Sequence, residues 1–400
     1  MRVRHLSLSH FRNYDRLDLD LSPRVTVLYG DNAQGKSNLL EAIFYLATTR
    51  SFRAGNDREL LGWTLPDNLL SFTRIAAQVE RDHEPLDIEF VLRQEIGRPD
   101  DPTAPPVFSK RIKLNDIPRR SIDVIGMTTA VMFSPQDLEI VDGAPLLRRR
   151  YLDVTISQAD RTYCRGLTHY NRVILQRNHL LRTIRDRGAS ADQLHFWNQE
   201  MVSAGSLVTA RRLATIRQLG EISQRFYQDL SGSEEMLTIR YKSSIFSGAA
   251  MIPDDAGEIA SAFTTRLGDV QARDVSMGVS LVGPHRDDLT FQIDGHDLNT
   301  FGSRGQQRTA ALALKLAEAE HLARQTGERP ILLLDDVLSE LDARRRARVL
   351  AFIQGDQQVL LTTTDRAALE GLLPPDTVWL QVQRGRLIDS TLSSFPLSES

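Results

Sequence analysis

One cysteine, Cys164, is all that the 400 residues contain. That excludes an internal disulfide and any cysteine-ligated metal cluster, and a reducing cytoplasm is the expected location. Lysine is nearly as scarce, at 5 of the 49 basic residues, the other 44 being arginine. Aromatic residues make up 6% of the chain. Few of them fall among the arginines, which disfavours base stacking as a mode of recognition. No apolar run reaches the ~20 residues of a membrane-spanning helix, so no membrane partner is expected. The start, Met1-Arg2-Val3-Arg4-His5, leads into an alternating strand rather than an apolar signal core. Sustained heptads and internal repeats are both missing, which argues against a long coiled coil or a solenoid.

The remaining composition is that of a globular chain, 41% hydrophobic and 25% charged, long enough for two or three lobes. The net charge of −3 hides an uneven distribution. Residues 141–230 hold 14 Arg, no Lys and 8 acidic residues, an excess of 6 positive charges. Strand signals dominate the first part: Leu17–Leu21 and Leu86–Leu92 alternate with period two, and Phe108–Leu114 follows a Pro-rich loop at Pro99–Pro106. From Leu146 to Leu230 apolar residues recur at helical spacing, with a break at Gly188-Ala189-Ser190. Strands return near Leu237–Tyr241 and Leu289–Leu298, and a helix is expected over Gln306–Arg324. Two buried strands, Ile331–Leu334 and Val359–Thr363, and a hairpin around Arg384-Gly385 close the chain.

The most specific segment is Gly30-Asp31-Asn32-Ala33-Gln34-Gly35-Lys36-Ser37, a phosphate-loop pattern. An apolar strand, Val25–Tyr29, leads in and a helical stretch, Asn38–Phe44, leads out. The two glycines let backbone N–H groups turn towards phosphate oxygens, and the helix N-terminus adds partial positive charge. Lys36 is expected to reach the β- and γ-phosphates of ATP, and the Ser37 hydroxyl to ligate Mg²⁺. A glycine turn with a chance Lys-Ser is the bland alternative, and the flanking strand and helix argue against it.

Pro330-Ile331-Leu332-Leu333-Leu334-Asp335-Asp336 is an apolar strand ending in two carboxylates, a Walker B pattern. Asp335 is expected to hold Mg²⁺, and Asp336 to orient the attacking water. Ser303-Arg304-Gly305-Gln306 opens a helix and offers a hydroxyl and N–H groups to an anion. One nucleotide needs one phosphate loop, so this second surface is best read as serving the nucleotide of another copy. The pattern resembles the ABC-type ATPases, whose signature motif caps the γ-phosphate held by the partner subunit in a head-to-tail dimer. That resemblance implies that Gln136, in Phe133–Leu138, is the Q-loop glutamine that senses Mg²⁺ and γ-phosphate. It makes Ser339 and Asp342 the D-loop, and Thr364 the switch position. Two departures stand out. Asp336 replaces the usual Glu, and Thr364 replaces the usual His, which alone can exchange a proton near neutral pH. Both imply slow hydrolysis, a timer rather than a motor.

Ser37 and Ser303 lie 266 residues apart, with a helical, Arg-rich insert between them. Leu6–Tyr14, Gly30–Ile43, Val282–Leu289 (with Gly283-Pro284-His285-Arg286-Asp287-Asp288) and Thr300–Arg308 are similar to segments of the RecF family. The likeness covers nearly the whole chain. It implies an α/β fold: an ABC-type P-loop ATPase head of mixed and antiparallel sheets with an inserted, mainly helical lobe. The expected division is 1–135 (ATPase, N-terminal half), 136–275 (helical lobe) and 276–400 (ATPase, C-terminal half). The resemblance further implies an ATP-dependent homodimer on double-stranded DNA or single–double-strand junctions. It would work with RecR and RecO to help load RecA at gaps.

Candidate DNA contacts are Arg148, Arg149, Arg150, Arg177, Arg182, Arg185 and Arg187, each of which could equally sit on a solvated helix face or in an internal ion pair. Contacts to phosphates alone predict binding without sequence preference and with steep salt dependence. His285 and Arg286 follow a Gly-Pro turn that could aim them at nucleotide or partner, or simply shape the turn. Arg12 is a candidate contact to the base or ribose of ATP. A structural DNA-bridging head and a transporter ATPase subunit are the alternatives; the first lacks its coiled coil and the second a coupling groove.

Overall fold

The computed structural model describes residues 1–63, 71–81, 84–95, 107–247 and 252–388. The Pro-rich loop at 99–106 lies outside them. The chain forms two compact units, Met1–Pro135 with Thr326–Ser400, and Gln136–Gln325.

The first unit begins with β1 (Arg2–Phe11), β2 (Tyr14–Asp20), β3 (Val25–Tyr29), α1 (Lys36–Thr48), β4 (Ser71–Glu80), β5 (Leu86–Glu95), β6 (Val107–Leu114), β7 (Ile117–Arg119), α2 (Ser121–Val124) and β8 (Ala130–Phe133). An antiparallel sheet runs in the order β2-β1-β4-β5-β6-β7. Alternation explains its two faces: Leu17 and Leu19 are buried while Asp18 and Asp20 between and after them are not. α1 is apolar almost all round and is buried along nearly its whole length. It packs against strands of both sheets of this unit.

The second unit holds α3 (Leu138–Asp142), α4 (Pro145–Ala159), α5 (Arg161–Arg187), α6 (Leu194–Ser231), β9 (Leu237–Lys242), α7 (Ala256–Met277), β10 (Asp288–Ile293), β11 (His296–Asp297), α8 (Leu298–Phe301) and α9 (Arg304–Thr326). The expected break near Gly188 separates α5 from α6, which is a single helix of 38 residues. α5, α6 and α7 pack side by side, and β9, β10 and β11 form a three-stranded sheet.

The chain then returns to the first unit with β12 (Ile331–Asp335), α10 (Ala343–Ile353), β13 (Val359–Thr363), β14 (Val378–Gln383) and β15 (Arg386–Ile388). These complete a second sheet in the order β15-β14-β3-β13-β12-β8, parallel except for the β14–β15 hairpin. β3, β12 and β13 are buried on both faces, which is why they read as continuous apolar runs.

Residues 276–325 group with the helical unit, whereas the sequence places the boundary at 275/276. Backbone pairing is the reason: β10 pairs with β9 over Asp288–Ile293, and Thr155 Oγ1 on α4 donates to Glu318 Oε1 on α9 at 3.0 Å. The signature segment therefore belongs to the unit that carries the Arg-rich helices.

Candidate nucleotide site and signature region

β3 delivers the chain to the phosphate loop and α1 carries it away, as the apolar run and the helical stretch predict. The loop is clamped from outside by the end of the Leu6–Tyr14 segment, by Asn38 and by the closing hairpin. Asn13 Nδ2 donates to the Gln34 carbonyl at 2.9 Å, and Asn38 Nδ2 donates to Asn13 Oδ1 at 2.8 Å. The Tyr14 hydroxyl donates to the Gly35 carbonyl at 3.0 Å, and burial holds its pKa above the usual phenol value. From the far end of the chain, Gly385 N–H donates to the Gln34 carbonyl at 2.9 Å and Arg384 N–H to Gln34 Oε1 at 2.8 Å. Gly35, at φ 114°, has no room for a side chain: a Cβ there would lie 2.6 Å from Asn13 Nδ2.

Lys36 Nζ folds over the loop and donates to the carbonyls of Gly30 at 2.6 Å and Asp31 at 2.7 Å. Burial lowers its pKa, and the carboxylates of Asp336, Asp335 and Asp31 oppose that shift. Ser37 Oγ donates to Asp335 Oδ1 at 2.6 Å, so the hydroxyl and the carboxylate expected to share Mg²⁺ already face each other. Both are hard oxygen donors, the type Mg²⁺ selects, and one carboxylate with phosphate oxygens and water suffices for that ion. Among the described residues no three His, Cys, Asp or Glu side chains cluster to hold a metal by themselves.

The strand order explains how the two halves meet. β13 lies between β3 and β12, and Thr362 is in register with Leu28 on one side and Asp335 on the other. Thr362 Oγ1 donates to Asp335 Oδ1 at 2.9 Å and accepts from Asp336 N–H at 2.9 Å. Asp336 has φ 54°, outside the usual region for a non-glycine residue, a strain that a fixed hydrogen-bond frame can hold. Ser339 Oγ completes that frame, reaching the Asp336 carbonyl at 2.7 Å and Oδ1 at 3.0 Å. Asp342 caps α10 by accepting Arg345 N–H at 2.9 Å, which holds its carboxyl below the usual range. Thr364 is exposed just past the end of β13.

Arg12 is engaged within the protein. Its guanidinium forks onto the fully buried Glu41 of α1, Nε to Oε2 at 3.0 Å and Nη2 to Oε1 at 2.8 Å, and Nη1 reaches the Glu59 carbonyl at 2.7 Å. Its role in the structure is to pin the β1–β2 turn on α1, next to Asn13.

In the second unit Gln136 is exposed in a single turn, Pro135–Asp137, three residues after the end of β8. Ser303 and Gln306 form a reciprocal cap at the start of α9: Gln306 N–H donates to Ser303 Oγ at 3.2 Å, and Ser303 N–H to Gln306 Oε1 at 2.9 Å. Arg304 lies 3.7 Å from Asp142, and Gly305 occupies the first turn.

Two of the seven candidate DNA arginines are corrected. Arg177 is fully buried and bonds to Asp274 at 2.7 Å and Ser280 at 2.8 Å. Arg148 is 6% exposed and forks onto Asp288 at 2.7 and 2.9 Å. Unpaired, either charge would be strongly disfavoured inside the unit, so both read as structural. Arg149 is half-buried and donates to the Asp287 carbonyl, and Arg150 is half-buried beside it. Arg182, Arg185 and Arg187 are exposed at the end of α5, with Arg185 paired to Asp186.

His285 also turns inward, whereas Arg286 stays exposed. His285 Nε2–H donates to the Ser280 carbonyl at 3.0 Å, and its Nδ1 accepts from the Tyr170 hydroxyl at 2.7 Å. Arg286 Nε donates to the same carbonyl, and Arg212 reaches the Pro284 carbonyl at 2.6 Å. The turn is held by these hydrogen bonds as a polar corner, with Gly283, Pro284 and Asp287 buried.

A phosphate loop on a buried parallel strand, a Walker B carboxylate two strands away and a helical insert between them define an ATPase head of the ABC class. The family model described as RecF/RecN/SMC N terminal domain matches residues 2–383. The "DNA replication and repair protein RecF" of Chloroflexus aurantiacus is 48% identical over 374 residues, 91% of this chain and 94% of that one. The protein of the same description from Halalkalibacterium halodurans is 36% identical over 388 residues, covering 97% and 99%. A solved structure of the recombination mediator RecF with ATP superposes with a TM-score of 0.84 at 31% identity, covering 97% of each chain. An Smc head at 13% identity and TM-score 0.52 shares the fold. The chain belongs to the RecF family of DNA replication and repair ATPases.

Sequence patterns assign no role to Thr362, Asn13, Tyr14 and Glu41, although the last three fall within segments similar to the RecF family. Each acts through a neighbour distant in sequence, and only the β-strand register could have pointed to Thr362.

Proposed function

We propose that this chain binds ATP with Mg²⁺, dimerises head to tail on it, and closes on double-stranded DNA or a single–double-strand junction. Lys36 and the backbone of Gly30–Ser37 hold the β- and γ-phosphates. Ser37 and Asp335 would hold Mg²⁺ and Gln136 would sense it; when bound, the ion would supply neutralisation of charge on the transferred phosphoryl group. Asp336 orients the attacking water and Ser339 holds Asp336. The shorter Asp336 and the non-titrating Thr364 keep hydrolysis slow, so the nucleotide acts as a switch. In the signature segment of one copy, Ser303, Arg304, Gly305 and Gln306, the Ser303 hydroxyl caps the nucleotide bound by the other.

The observation that carries the reading is the Ser303–Gln306 cap, which sets a hydroxyl at the exposed N-terminus of α9. Arg182 and Arg187, with Arg149, Arg150 and Arg185 contributing less, meet DNA phosphates without reading bases. By family membership, the clamp works with RecR and RecO to help load RecA at gaps during repair and replication restart.

Dimerisation and duplex binding measured with ATP, with ADP and without nucleotide test the reading. ATP is expected to promote both. Lys36→Ala should weaken ATP binding at least about tenfold, the loss of a charge-assisted hydrogen bond. Ser303→Ala should spare ATP binding and block dimerisation. Normal ATP-driven dimers of Ser303→Ala would defeat the composite site.

A further inference from the structure

The segment between α6 and β9 is tied down on every side. Glu235 Oε2 accepts from the Tyr227 hydroxyl at 2.9 Å and from Ser233 Oγ at 3.1 Å. Its carbonyl accepts from Gln224 Nε2 at 3.2 Å, and Gln224 Oε1 in turn accepts Leu237 N–H. Next to it, Met236 N–H donates to Asp294 Oδ1 at 2.9 Å and the Met236 carbonyl accepts Asp294 N–H at 3.0 Å. The anchor Tyr227 is fully buried on α6. Out of this rigid seat the second carboxylate oxygen, Glu235 Oε1, accepts from Gln306 Nε2 at 2.9 Å, 71 residues further along.

We infer that Glu235 is a positioning residue for the signature region: it orients Gln306 so that Gln306 caps Ser303, and it ties that cap to the end of the long insert helix. The chemistry is one of polarity. A carboxylate can only accept, so it draws the NH₂ of the Gln306 amide towards itself. The amide oxygen is thereby turned to the Ser303 N–H, which can only donate. Without Glu235 the amide is free to rotate by half a turn and present a donor to a donor. The cap then fails, and with it the fixed position of the Ser303 hydroxyl. Ser303, Gln306, Glu235 and Tyr227 thus form one hydrogen-bonded chain running from the signature region to α6. A displacement of the α6 end is transmitted to Ser303 through two side chains.

This inference rests on the composite-site reading above, and the test separates the two. ATP-driven dimerisation is measured by light scattering, and ATP affinity is measured on dilute monomer, for Glu235→Ala, Gln306→Ala, their double variant, Ser303→Ala and the exchange Glu235→Gln/Gln306→Glu. Each single alanine variant is expected to weaken dimerisation about fivefold, the effect of losing a helix cap, with ATP affinity unchanged. The double variant should be no worse than either single one, because both remove the same link. The exchange keeps one donor facing one acceptor and leaves a carboxylate to accept Ser303 N–H, so it should restore dimerisation. Should Glu235→Ala fail to fold, Gln306→Ala and the exchange decide alone. Parent-like dimerisation of Gln306→Ala, or no rescue by the exchange, overturns the inference while a defective Ser303→Ala leaves the composite site standing. Parent-like dimerisation of Ser303→Ala overturns both.

Discussion

The Ser37 hydroxyl and the Asp335 carboxylate, 298 residues apart in the chain, are 2.6 Å apart in the fold. Asp335 accepts a second hydrogen bond from Thr362, which also receives Asp336 N–H. The start of α1 and the ends of β12 and β13 thus share one polar frame.

Thr362→Val keeps the shape and removes the hydroxyl. Asp336 N–H loses its partner, an expected destabilisation of about 1–3 kcal/mol. The rate of hydrolysis at saturating ATP should fall more than ATP affinity, because Asp336 loses its orientation while Lys36 and the loop are untouched. Thr362→Ser should recover most of the rate. Single-turnover assays beside equilibrium ATP binding check the split; equal losses in both would show that Thr362 only supports the fold.

Gly385 sits at φ 71° in the β14–β15 turn, and a Cβ there would lie 2.1 Å from the Asn13 carbonyl oxygen. Gly385→Ala must push the turn away from Asn13, which braces the phosphate loop, and from Gln34 within it. ATP affinity should drop several-fold although residue 385 touches no phosphate. A parallel loss is expected for Asn13→Ala. Calorimetric titration with ATP tests both, and full affinity in either variant would mean the loop holds its shape unaided.

The arginines of the helical unit divide by burial. Arg177→Ala leaves Asp274 uncompensated inside the unit and should destabilise it by about 3–5 kcal/mol, seen as a lowered Tm. Arg182→Ala and Arg187→Ala should leave Tm unchanged. Instead each should weaken duplex binding and reduce the slope of log K against log salt by about one. An unchanged salt slope for the pair of exposed variants would remove this end of α5 from the DNA surface.

His285 carries a pH signature. Burial, reinforced by the nearby Arg286, Arg149 and Arg177 and opposed by the bond to the Ser280 carbonyl, lowers its pKa from 6.5 to about 4. Between those values the unfolded chain binds the extra proton and the folded unit does not. Stability is therefore full above pH 6.5 and declines as the pH falls towards 4, by at most roughly 3 kcal/mol. His321, also lowered to about 4 by burial, acts in the same window. His285→Gln should make the decline shallower without abolishing it. Thermal unfolding between pH 4 and 7 measures this, and an unaltered slope would show that His285 is protonated in the folded unit.

Much of the site was legible because its chemistry is local. A phosphate loop needs two glycines, a lysine and a hydroxyl within eight consecutive residues, and a Walker B strand needs an apolar run ending in carboxylates. The helix start at Ser303 was readable too, whereas its reciprocal cap with Gln306 emerged only in the fold. Arg177 and Arg182 were not distinguishable, since both lie on α5 and differ only in which face of that helix meets α7 and Asp274. The domain boundary at residue 275 was misplaced for a related reason. Nothing in residues 276–325 announces that β10 pairs with β9.

By itself the amino-acid sequence determined the nucleotide chemistry, the helical insert and the family, because each rests on residues adjacent in the chain or on periodicity within one element. Tertiary structure alone decided that Ser37 meets Asp335 and that Thr362 frames the two Walker B carboxylates, that Asn13 and the Arg384-Gly385 turn brace the phosphate loop, that Arg12 serves Glu41, and that Glu235 holds Gln306. These pairings join groups from 21 to 351 residues apart. Their energy comes from desolvated hydrogen bonds that exist only once strand register and helix packing have brought the partners together.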